Sequence, residues 1–366
     1  MHLTNLRDLY THDGPFITVH LEVGRPGEDG RQQLDTRCTN LRHDLEHAGV
    51  GADLVDDIES RIRTPHDRPG PVRRTIVAAS GAVVLDETRV GATDAPEVTT
   101  VGPLPDLAGW LDQAAEEVPW LLVLADHEGA DLELRVDTRQ PADARTEVHG
   151  DDLHLHQVQL GGPAHPQYQR RSENVWRINA REVADEIRSA CRRHAPDVVV
   201  LAGDVRARTE IAGALEHLEV PVDQVESGAR TEGASEEALW SAVDDVLTRL
   251  AQESDEALLD ELGTAGAHGR AAHGLDDVLD ALVRGEVDRL VLDLAAVRPM
   301  QVDPARFPGL ALPDGARRTV DPLPADQVLL AAATATDARV HLVPGTPADS
   351  DGVSALLRWA HDTDGA

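Results

Sequence analysis

Seven arginines are concentrated between residues 161 and 193, where only four acidic residues oppose them. This stretch carries +3 in a chain whose net charge is −32. At about 100° per residue, five of these arginines fall within roughly 60° of one another on a helix. They are Arg170, Arg177, Arg181, Arg188 and Arg192. Because a guanidinium binds phosphate through two parallel hydrogen bonds, the stripe predicts a phosphate-contacting helix. The alternative is a solvated face whose arginines pair with neighbours such as Glu173 and Asp185.

A loop is predicted just before this helix, over residues 161–171 (GGPAHPQYQRR). Two glycines followed by prolines and amide side chains are typical of exposed backbone that a ligand or RNA can approach. An ordinary surface turn has the same composition, and the adjacent arginines are what favour binding. The candidate RNA-binding residues of loop and helix are Gly161, Gly162, Pro163, His165, Gln167, Tyr168, Gln169, Arg170, Arg171, Arg177 and Arg181.

A second basic segment spans residues 61–74 (RIRTPHDRPGPVRR), where five arginines oppose Asp67 alone. Its arginines are Arg61, Arg63, Arg68, Arg73 and Arg74. The local charge of +4 fits either a second RNA contact or a mobile loop, and both interpretations stay open. Over the rest of the chain, the excess of acidic residues is expected to repel phosphate backbones.

All 34 basic residues are arginine, and the absence of lysine excludes several enzyme classes. The chain has no Walker phosphate loop, no lysine for a pyridoxal Schiff base and no Ser-x-x-Lys nucleophile. Its two cysteines, Cys38 and Cys191, are too few for a disulfide framework or a thiolate zinc site. Because neither a signal peptide nor a membrane-spanning apolar run is found, we expect a cytoplasmic protein without a membrane partner.

Histidines close in sequence raise the question of a metal site. His154 and His156 would point to one side of a strand, but the nearby Asp151 and Asp152 lie in a predicted turn. The chain also lacks the His-Glu-x-x-His motif. We therefore expect solvated histidines, with no metal and no cofactor.

The elements that must position the arginine helix indicate an α/β (α+β) fold. Residues 120–125 (WLLVLA) and 197–202 (DVVVLA) are apolar runs of strand length on either side of the helix. This order predicts two parallel strands joined by a right-handed crossover. Apolar residues at helical spacing between Trp176 and Cys191 form the face that should pack on the sheet. Further along, residues 295–326 are predicted to form a loop and residues 352–361 a helix.

Four segments of the chain occur in an order and spacing shared with a known family. They are residues 10–19 (YTHDGPFITV), 120–132 (WLLVLADHEGADL), 161–187 (GGPAHPQYQRRSENVWRINAREVADEI) and 274–294 (GLDDVLDALVRGEVDRLVLDL). In these segments the chain resembles the bacterial relatives of the archaeo-eukaryotic class I release factor and Pelota. It is similar in particular to the actinobacterial branch to which the ribosome hibernation factor Balon is related.

The resemblance implies three domains. Residues 1–117 would form an amino-terminal α/β domain on the side of the decoding centre. Residues 118–251 would form a central ribonuclease-H-like domain with the Gly-Gly loop and the arginine helix. Residues 252–366 would form an α/β domain like that of kink-turn-binding ribosomal proteins.

The resemblance also implies a function, with one departure from the family pattern. Release factors carry Gly-Gly-Gln, whose glutamine helps water to attack the peptidyl-tRNA ester, whereas Pro163 follows the two glycines here. This implies no catalytic residue and a ribosome-binding stress or hibernation factor in the A site, contacting rRNA of both subunits near the peptidyl transferase centre. The alternative is a rescue peptidyl-tRNA hydrolase that uses Gln167 or Gln169. A translational GTPase such as elongation factor Tu is an expected partner by analogy.

Overall fold

The computed structural model describes residues 6–23, 28–66, 71–90, 96–116, 119–126, 128–136, 142–149, 165–226, 236–346 and 350–360. For residues 28, 29, 116, 149, 165–176 and 236 it describes the backbone alone. The chain forms two compact units, Met1–Glu116 with Ser254–Ala366, and Glu117–Glu253. The division into three domains that the resemblance implies stays a prediction.

The amino-terminal part of the first unit is a four-stranded antiparallel sheet with three helices. Its elements are β1 (Phe16–Glu22), α1 (Glu28–His47), α2 (Ala52–Ile62), β2 (Val72–Ala79), β3 (Ala82–Val90), β4 (Val98–Gly102) and α3 (Ala108–Glu116). The strand order is β3-β2-β1-β4. Ile17, Val19 and Leu21 alternate along β1 and pack in one core with α1 and α2. Thr18 and His20 are buried on the opposite face.

The second unit is built on a five-stranded mixed sheet. Its elements are β5 (Trp120–Ala125), β6 (Gly129–Arg135), β7 (Ala144–His149), α4 (His165–His194), β8 (Val198–Gly203), α5 (Val205–Ala214) and β9 (Val222–Gln224), followed by the first part of α6 (Glu236–Gly266). The strand order is β7-β6-β5-β8-β9; β6 is antiparallel to its neighbours β5 and β7, whereas β8 and β9 are parallel to β5. Three antiparallel strands followed by two parallel ones form the ribonuclease-H-like arrangement that the resemblance implies.

Alternation along β5 gives this sheet two buried faces. Leu121 and Val123 pack against α4 and α5, whereas Trp120 and Leu122 pack against α6. Both faces are covered, so β5 is a continuous apolar run, as parallel strands under helices require. The strand predicted at residues 120–125 and its parallel partner β8 are confirmed.

The carboxy-terminal part of the first unit adds a second four-stranded sheet. Its elements are β10 (Ala271–His273), α7 (Leu275–Val283), β11 (Val287–Leu292), α8 (Leu294–Val297), β12 (Gln301–Val302), α9 (Asp314–Arg317), β13 (Leu323–Pro324), α10 (Ala325–Ala335), β14 (Arg339–Leu342) and β15 (Val353–Leu357). The strand order is β10-β15-β11-β14. Phe16 and Leu111 share one hydrophobic core with Leu282 and Leu329, so the two sheets of this unit are joined through buried side chains.

The structure corrects two predictions in this region. The helix predicted at residues 352–361 is wrong, because Val353–Leu357 is the strand β15, fully buried between β10 and β11. A five-residue apolar run fits a helix or a strand equally well, and pairing on both sides selects the strand. The segment 295–326 is more than a loop, since it contains α8, α9 and the β12–β13 pair.

Candidate nucleic-acid interface

The helix α4 packs on the sheet through the face that its apolar spacing predicts. Ala180, Val183, Ala184 and Ile187 are at most 6% exposed and lie in the core formed with β5, β8 and α5. Ala190 and Cys191 continue this buried face toward the end of the helix. The side chain of Trp176 lies outside the described part of the structure. The buried face fixes the rotation of α4, and with it the direction in which the arginines point.

Three arginines of the predicted stripe face solvent. Arg177, Arg181 and Arg192 are exposed, and none forms an ion pair with a carboxylate in the described part of the chain. Surface arginines without a carboxylate partner keep their hydrogen-bond donors available for an external anion. Two of these three, Arg177 and Arg181, are one helical turn apart. We call Arg177 and Arg181 the α4 arginine pair.

Arg188 belongs to the same stripe but is used inside the fold. Its guanidinium donates one hydrogen bond to Asp185 Oδ1 at 2.8 Å and another to the carbonyl oxygen of Ala214. Ala214 ends α5, so Arg188 satisfies a carbonyl group that has no partner within its own helix. Arg193 is also engaged, through an ion pair with Glu186. The alternative of internal pairing therefore holds for part of the predicted stripe.

The predicted Gly-Gly loop is only partly described. Gly161, Gly162 and Pro163 lie outside the described residues, as do His154 and His156. The backbone from His165 to Arg171 is helical, because α4 begins at His165, seven residues before the start that the sequence suggested. Pro166 does not prevent this extension, since proline lacks an N–H that the first helical turn would leave unpaired anyway.

The loop prediction is therefore wrong for six candidate binding residues, which occupy the first turns of α4. These are His165, Gln167, Tyr168, Gln169, Arg170 and Arg171. The structure describes only the backbone of these residues, so it gives their positions along the helix.

The second basic segment is not a single loop. Arg61 lies in the last turn of α2, and Arg73 and Arg74 lie in β2. Arg68 falls outside the described residues. Arg61 and Arg74 both bind the carboxylate of Asp86, with nitrogen–oxygen distances of 2.6 to 2.9 Å. These residues join α2 to the sheet, which the spacing of charges along the chain could not indicate.

Carboxylates neutralise much of the charge of this second segment. Arg63 is held by Glu59, at 2.8 Å, and by Asp35 of α1. Burial opposes ionisation of Asp86, but hydrogen bonds from Arg74 and Arg61 outweigh it and hold the pKa of this carboxyl below its usual value. Of the two predicted basic segments, the one on α4 therefore has the described arginines that stay open, and Arg177 and Arg181 are among them.

A shallow pocket lies between α4 and α5. It is lined by Asp126, Gly129, Asn179, Ala180, Val183 and Ala207, among others. Asp126 accepts hydrogen bonds from the backbone N–H groups of Glu128, at 2.8 Å, and Gly129, at 3.0 Å. This carboxylate shapes the turn between β5 and β6, and the other walls are mostly apolar. Such a lining suits contact with a surface better than acid–base chemistry.

The described residues include neither a metal site nor a reactive thiol. No group of three or more histidine, cysteine or carboxylate side chains there is arranged to hold a metal ion. Cys38 and Cys191 are buried, and burial raises the pKa of both thiols, which disfavours the reactive thiolate. In the described part of the chain, no helix is both long and apolar enough to cross a membrane.

Comparison with known proteins finds a matching family model and similar relatives. The model of bacterial archaeo-eukaryotic release factor family 2 matches residues 119–270, which include β5 to β8 and α4. Two uncharacterized proteins of Mycobacterium tuberculosis, MT2704 and Rv2629, are each 27% identical over 368 residues, covering 98% of this chain and 97% of the relative.

Two solved structures of archaeal Pelota proteins also align with the chain. A ribosome-bound archaeal Pelota aligns with 98% of this chain and 94% of its own, at 15% identity and a TM-score of 0.41. Archaeoglobus fulgidus Pelota aligns with 79% of this chain and 85% of its own, at 14% identity and a TM-score of 0.33. The family match covers residues 119–270, the part of the chain that contains α4, and in this part the chain is similar to bacterial archaeo-eukaryotic release-factor-like proteins.

Proposed function

We propose that this protein associates with the ribosome and binds rRNA through the α4 arginine pair. The observation that carries the proposal is the exposure of Arg177 and Arg181 without a described carboxylate partner, within the segment that matches the release-factor family. Arginine forms strong, charge-assisted hydrogen bonds with phosphate, and these bonds dominate the affinity of proteins for nucleic acid.

The overall acidity of the chain is compatible with such binding. A net charge of −32 repels phosphate from most of the surface, so only locally basic faces can approach RNA. A few correctly placed arginines on an acidic body would then favour one docking position over unspecific adsorption. This agrees with binding to one defined site on a large RNA assembly.

The finer form of the proposal concerns the place and the role. The protein would occupy the A site as a stress or hibernation factor in the cytoplasm, with the Gly161–Gly162 loop near the peptidyl transferase centre and contacts to rRNA of both subunits. A translational GTPase such as elongation factor Tu is the candidate partner. The second basic segment, Arg61, Arg63, Arg68, Arg73 and Arg74, is a weaker candidate contact because four of these arginines lie in or beside α2 and β2.

We further propose that the protein does not hydrolyse peptidyl-tRNA. Pro163 replaces the glutamine of Gly-Gly-Gln and has no backbone N–H to donate. Gln167 and Gln169 lie in the first turns of α4, so a substitute glutamine would have to act from the helix. Peptide release from purified stalled ribosomal complexes, lost in Gln167→Ala or Gln169→Ala, would instead support the rescue hydrolase.

Co-sedimentation with purified bacterial 70S ribosomes tests the proposal. We expect the full-length protein to bind, and the double variant Arg177→Gln/Arg181→Gln to bind roughly tenfold more weakly at about 100 mM salt. Arg317→Gln/Arg318→Gln is the matched control, since it also removes two exposed positive charges, from α9. Failure of the unmodified protein to bind at any salt concentration would refute the proposal.

A further inference from the structure

Helices α4 and α5 lie side by side and run in the same direction. Both cover one face of the sheet, and both connect parallel strands. The bond from Arg188 to the Ala214 carbonyl oxygen joins the later part of α4 to the end of α5. Ala180 and Ala207, about two helical turns earlier in each helix, line one pocket. The relative position of the two helices is therefore fixed at two points.

This register brings the first turn of α5 beside the α4 arginine pair. Counting seven residues back from Arg188 and from Ala214 leads to Arg181 and Ala207, and the rise is the same about 10 Å in both helices. Arg181 is on the same edge of α4 as Arg188, because seven residues are close to two full turns. Arg206, which directly precedes Ala207, is therefore expected at about the level of Arg181.

Arg206 is exposed, like the α4 arginine pair, and has no ion pair in the described structure. Arginine side chains in this protein usually have such a partner or bind a backbone carbonyl group. Six described arginines have neither an ion pair nor a hydrogen bond to a backbone carbonyl group: Arg177, Arg181, Arg192, Arg206, Arg270 and Arg298. Four of these six lie on α4 and α5, so the open arginines are concentrated on two adjacent helices.

The two acidic residues that flank Arg206 at the start of α5, Asp204 and Glu210, leave it available. The carboxylate of Asp204 caps α5 and accepts hydrogen bonds from the backbone N–H groups of Arg206, at 2.9 Å, and Ala207, at 3.0 Å. Glu210 is exposed one turn further along α5, and no ion pair links it to Arg206. Asp204 is thus held by backbone dipoles at the helix start.

We propose that Arg206 joins Arg177 and Arg181 in one groove between α4 and α5 that binds the sugar–phosphate backbone of rRNA. This inference rests on the proposed function and extends its contact surface to a second helix. Arginines on both sides of a groove can contact successive phosphates of one strand, whereas a single helix edge offers one line of donors. Sequence spacing could not reveal this, since Arg206 is 25 residues beyond Arg181.

Salt-dependent binding to purified bacterial 70S ribosomes tests the groove, with the full-length chain throughout. We expect Arg206→Gln to weaken binding by roughly three- to eightfold and to lower the slope of log affinity against log salt by about 0.7 to 0.9, the loss of one phosphate contact. Arg206→Lys should retain the slope, since it keeps the charge. Arg192→Gln, an equally open position near the end of α4, should change affinity less than twofold.

Each other outcome has a defined meaning. Unchanged binding of Arg206→Gln, with Arg177→Gln/Arg181→Gln still weakened, would overturn the groove and leave the proposed function intact. Weaker binding with an unchanged salt slope would also overturn it, because the contact would then be with protein. No binding by the unmodified chain would refute the proposed function itself. Circular dichroism of the variants confirms that each is folded.

Discussion

The guanidinium of Arg135 lies 4.4 Å from the ring centroid of Trp240, which joins the end of β6 to α6. Arg135 is 5% exposed and also donates two hydrogen bonds to Glu133 Oε2, at 2.9 and 2.6 Å. Arg145 of β7 binds the other oxygen of Glu133, at 3.0 Å. The second unit thus has a buried ion pair stacked on an aromatic ring, on the face of its sheet opposite to α4.

Replacing Arg135 should destabilise this unit strongly. We expect Arg135→Met to lower the free energy of unfolding by about 3–5 kcal/mol, since Glu133 would stay buried with only Arg145 to pair it. Urea denaturation followed by circular dichroism measures the effect. The double variant Arg135→Met/Glu133→Leu should regain most of the loss, and Arg145→Gln, at an exposed position, should lose less than about 1 kcal/mol. Equal losses in all three variants would contradict a network centred on Arg135.

Gly203 is required where β8 turns into α5. Its φ is +102°, and a Cβ atom there would lie 2.1 Å from the carbonyl oxygen of Ala125. That oxygen also accepts a hydrogen bond from Asp204 N at 2.8 Å, so the backbone has little room to move. We expect Gly203→Ala to lower the free energy of unfolding by about 3 kcal/mol or more.

Gly213→Ala provides the matched control, because Gly213 lies within α5 and a Cβ atom there would meet nothing within 4 Å. Alanine is the better helix former, so this variant should be more stable by about 0.5–1 kcal/mol. The two substitutions are chemically identical and should shift the urea midpoint in opposite directions. A shift in the same direction would contradict the close approach at Gly203.

His20 should make the first unit less stable in mild acid. Burial, with smaller contributions from the positive charges of Arg73 and Arg298, lowers the pKa of His20 to about 4. Its Nδ1 lies 2.8 Å from Thr75 Oγ1, and Gly109 packs against the ring. Between about pH 6.5 and pH 4 the unfolded state binds a proton that the folded state does not, so stability falls as the pH falls.

Urea denaturation at a series of pH values measures this effect. Between about pH 7 and pH 5, we expect the His20 contribution to the free energy of unfolding to fall by about 2 kcal/mol. His20→Gln keeps a polar side chain beside Thr75 but cannot titrate, and it should lack this part of the pH dependence. A pH profile identical to that of the unmodified protein would show that His20 is not the group responsible.

Asp326 should act in the opposite sense. Burial, and then the negative charge of Asp106, raise the pKa of Asp326 to about 6. Between about pH 6 and pH 3.8 the folded state binds a proton that the unfolded state does not, so this group stabilises the fold as the pH falls. We expect its contribution to rise by about 1–1.5 kcal/mol from pH 7.5 to pH 5.

Asp326→Asn removes the charge while keeping the size of the side chain. Its stability should exceed that of the unmodified protein most clearly near pH 7.5, where Asp326 is ionised, and the difference should shrink toward pH 5. The same denaturation series, with His20→Gln alongside, separates the two titrations because their signs are opposite. A variant that is less stable at pH 7.5 than at pH 5, relative to the unmodified protein, would contradict the raised pKa.

Much of the local structure followed from the sequence. The strand at residues 120–125 has the predicted bounds, and the apolar face of α4 is buried as its spacing indicates. Both depend on short-range periodicity, because a residue's direction on a helix or strand is fixed by its neighbours along the chain. The family resemblance also came from local segments, and the match over residues 119–270 supports it.

The candidate interface was harder to predict from the sequence. Contacts between residues that are distant along the chain decide which arginines remain without a partner. Arg188 and Arg177 are equivalent by spacing, yet only Arg188 reaches a carbonyl group of α5. Arg61 and Arg74 appeared to belong to one basic loop, and their common partner Asp86 lies on another strand. Nothing in the sequence indicated Arg206 as a binding residue, because only the packing of α5 beside α4 brings it toward the α4 arginine pair.

Composition and spacing alone give a chain without lysine, with an excess of acidic residues and with a stripe of arginines, and they limit the expected phosphate contacts to arginine. Spacing also fixes which face of α4 is apolar. Folding makes residues 353–357 a strand. It also determines which arginines are paired with carboxylates and carbonyl groups. The physical reason is that an apolar run or a charged side chain reaches its final state only through its partners, and folding supplies those from distant parts of the chain.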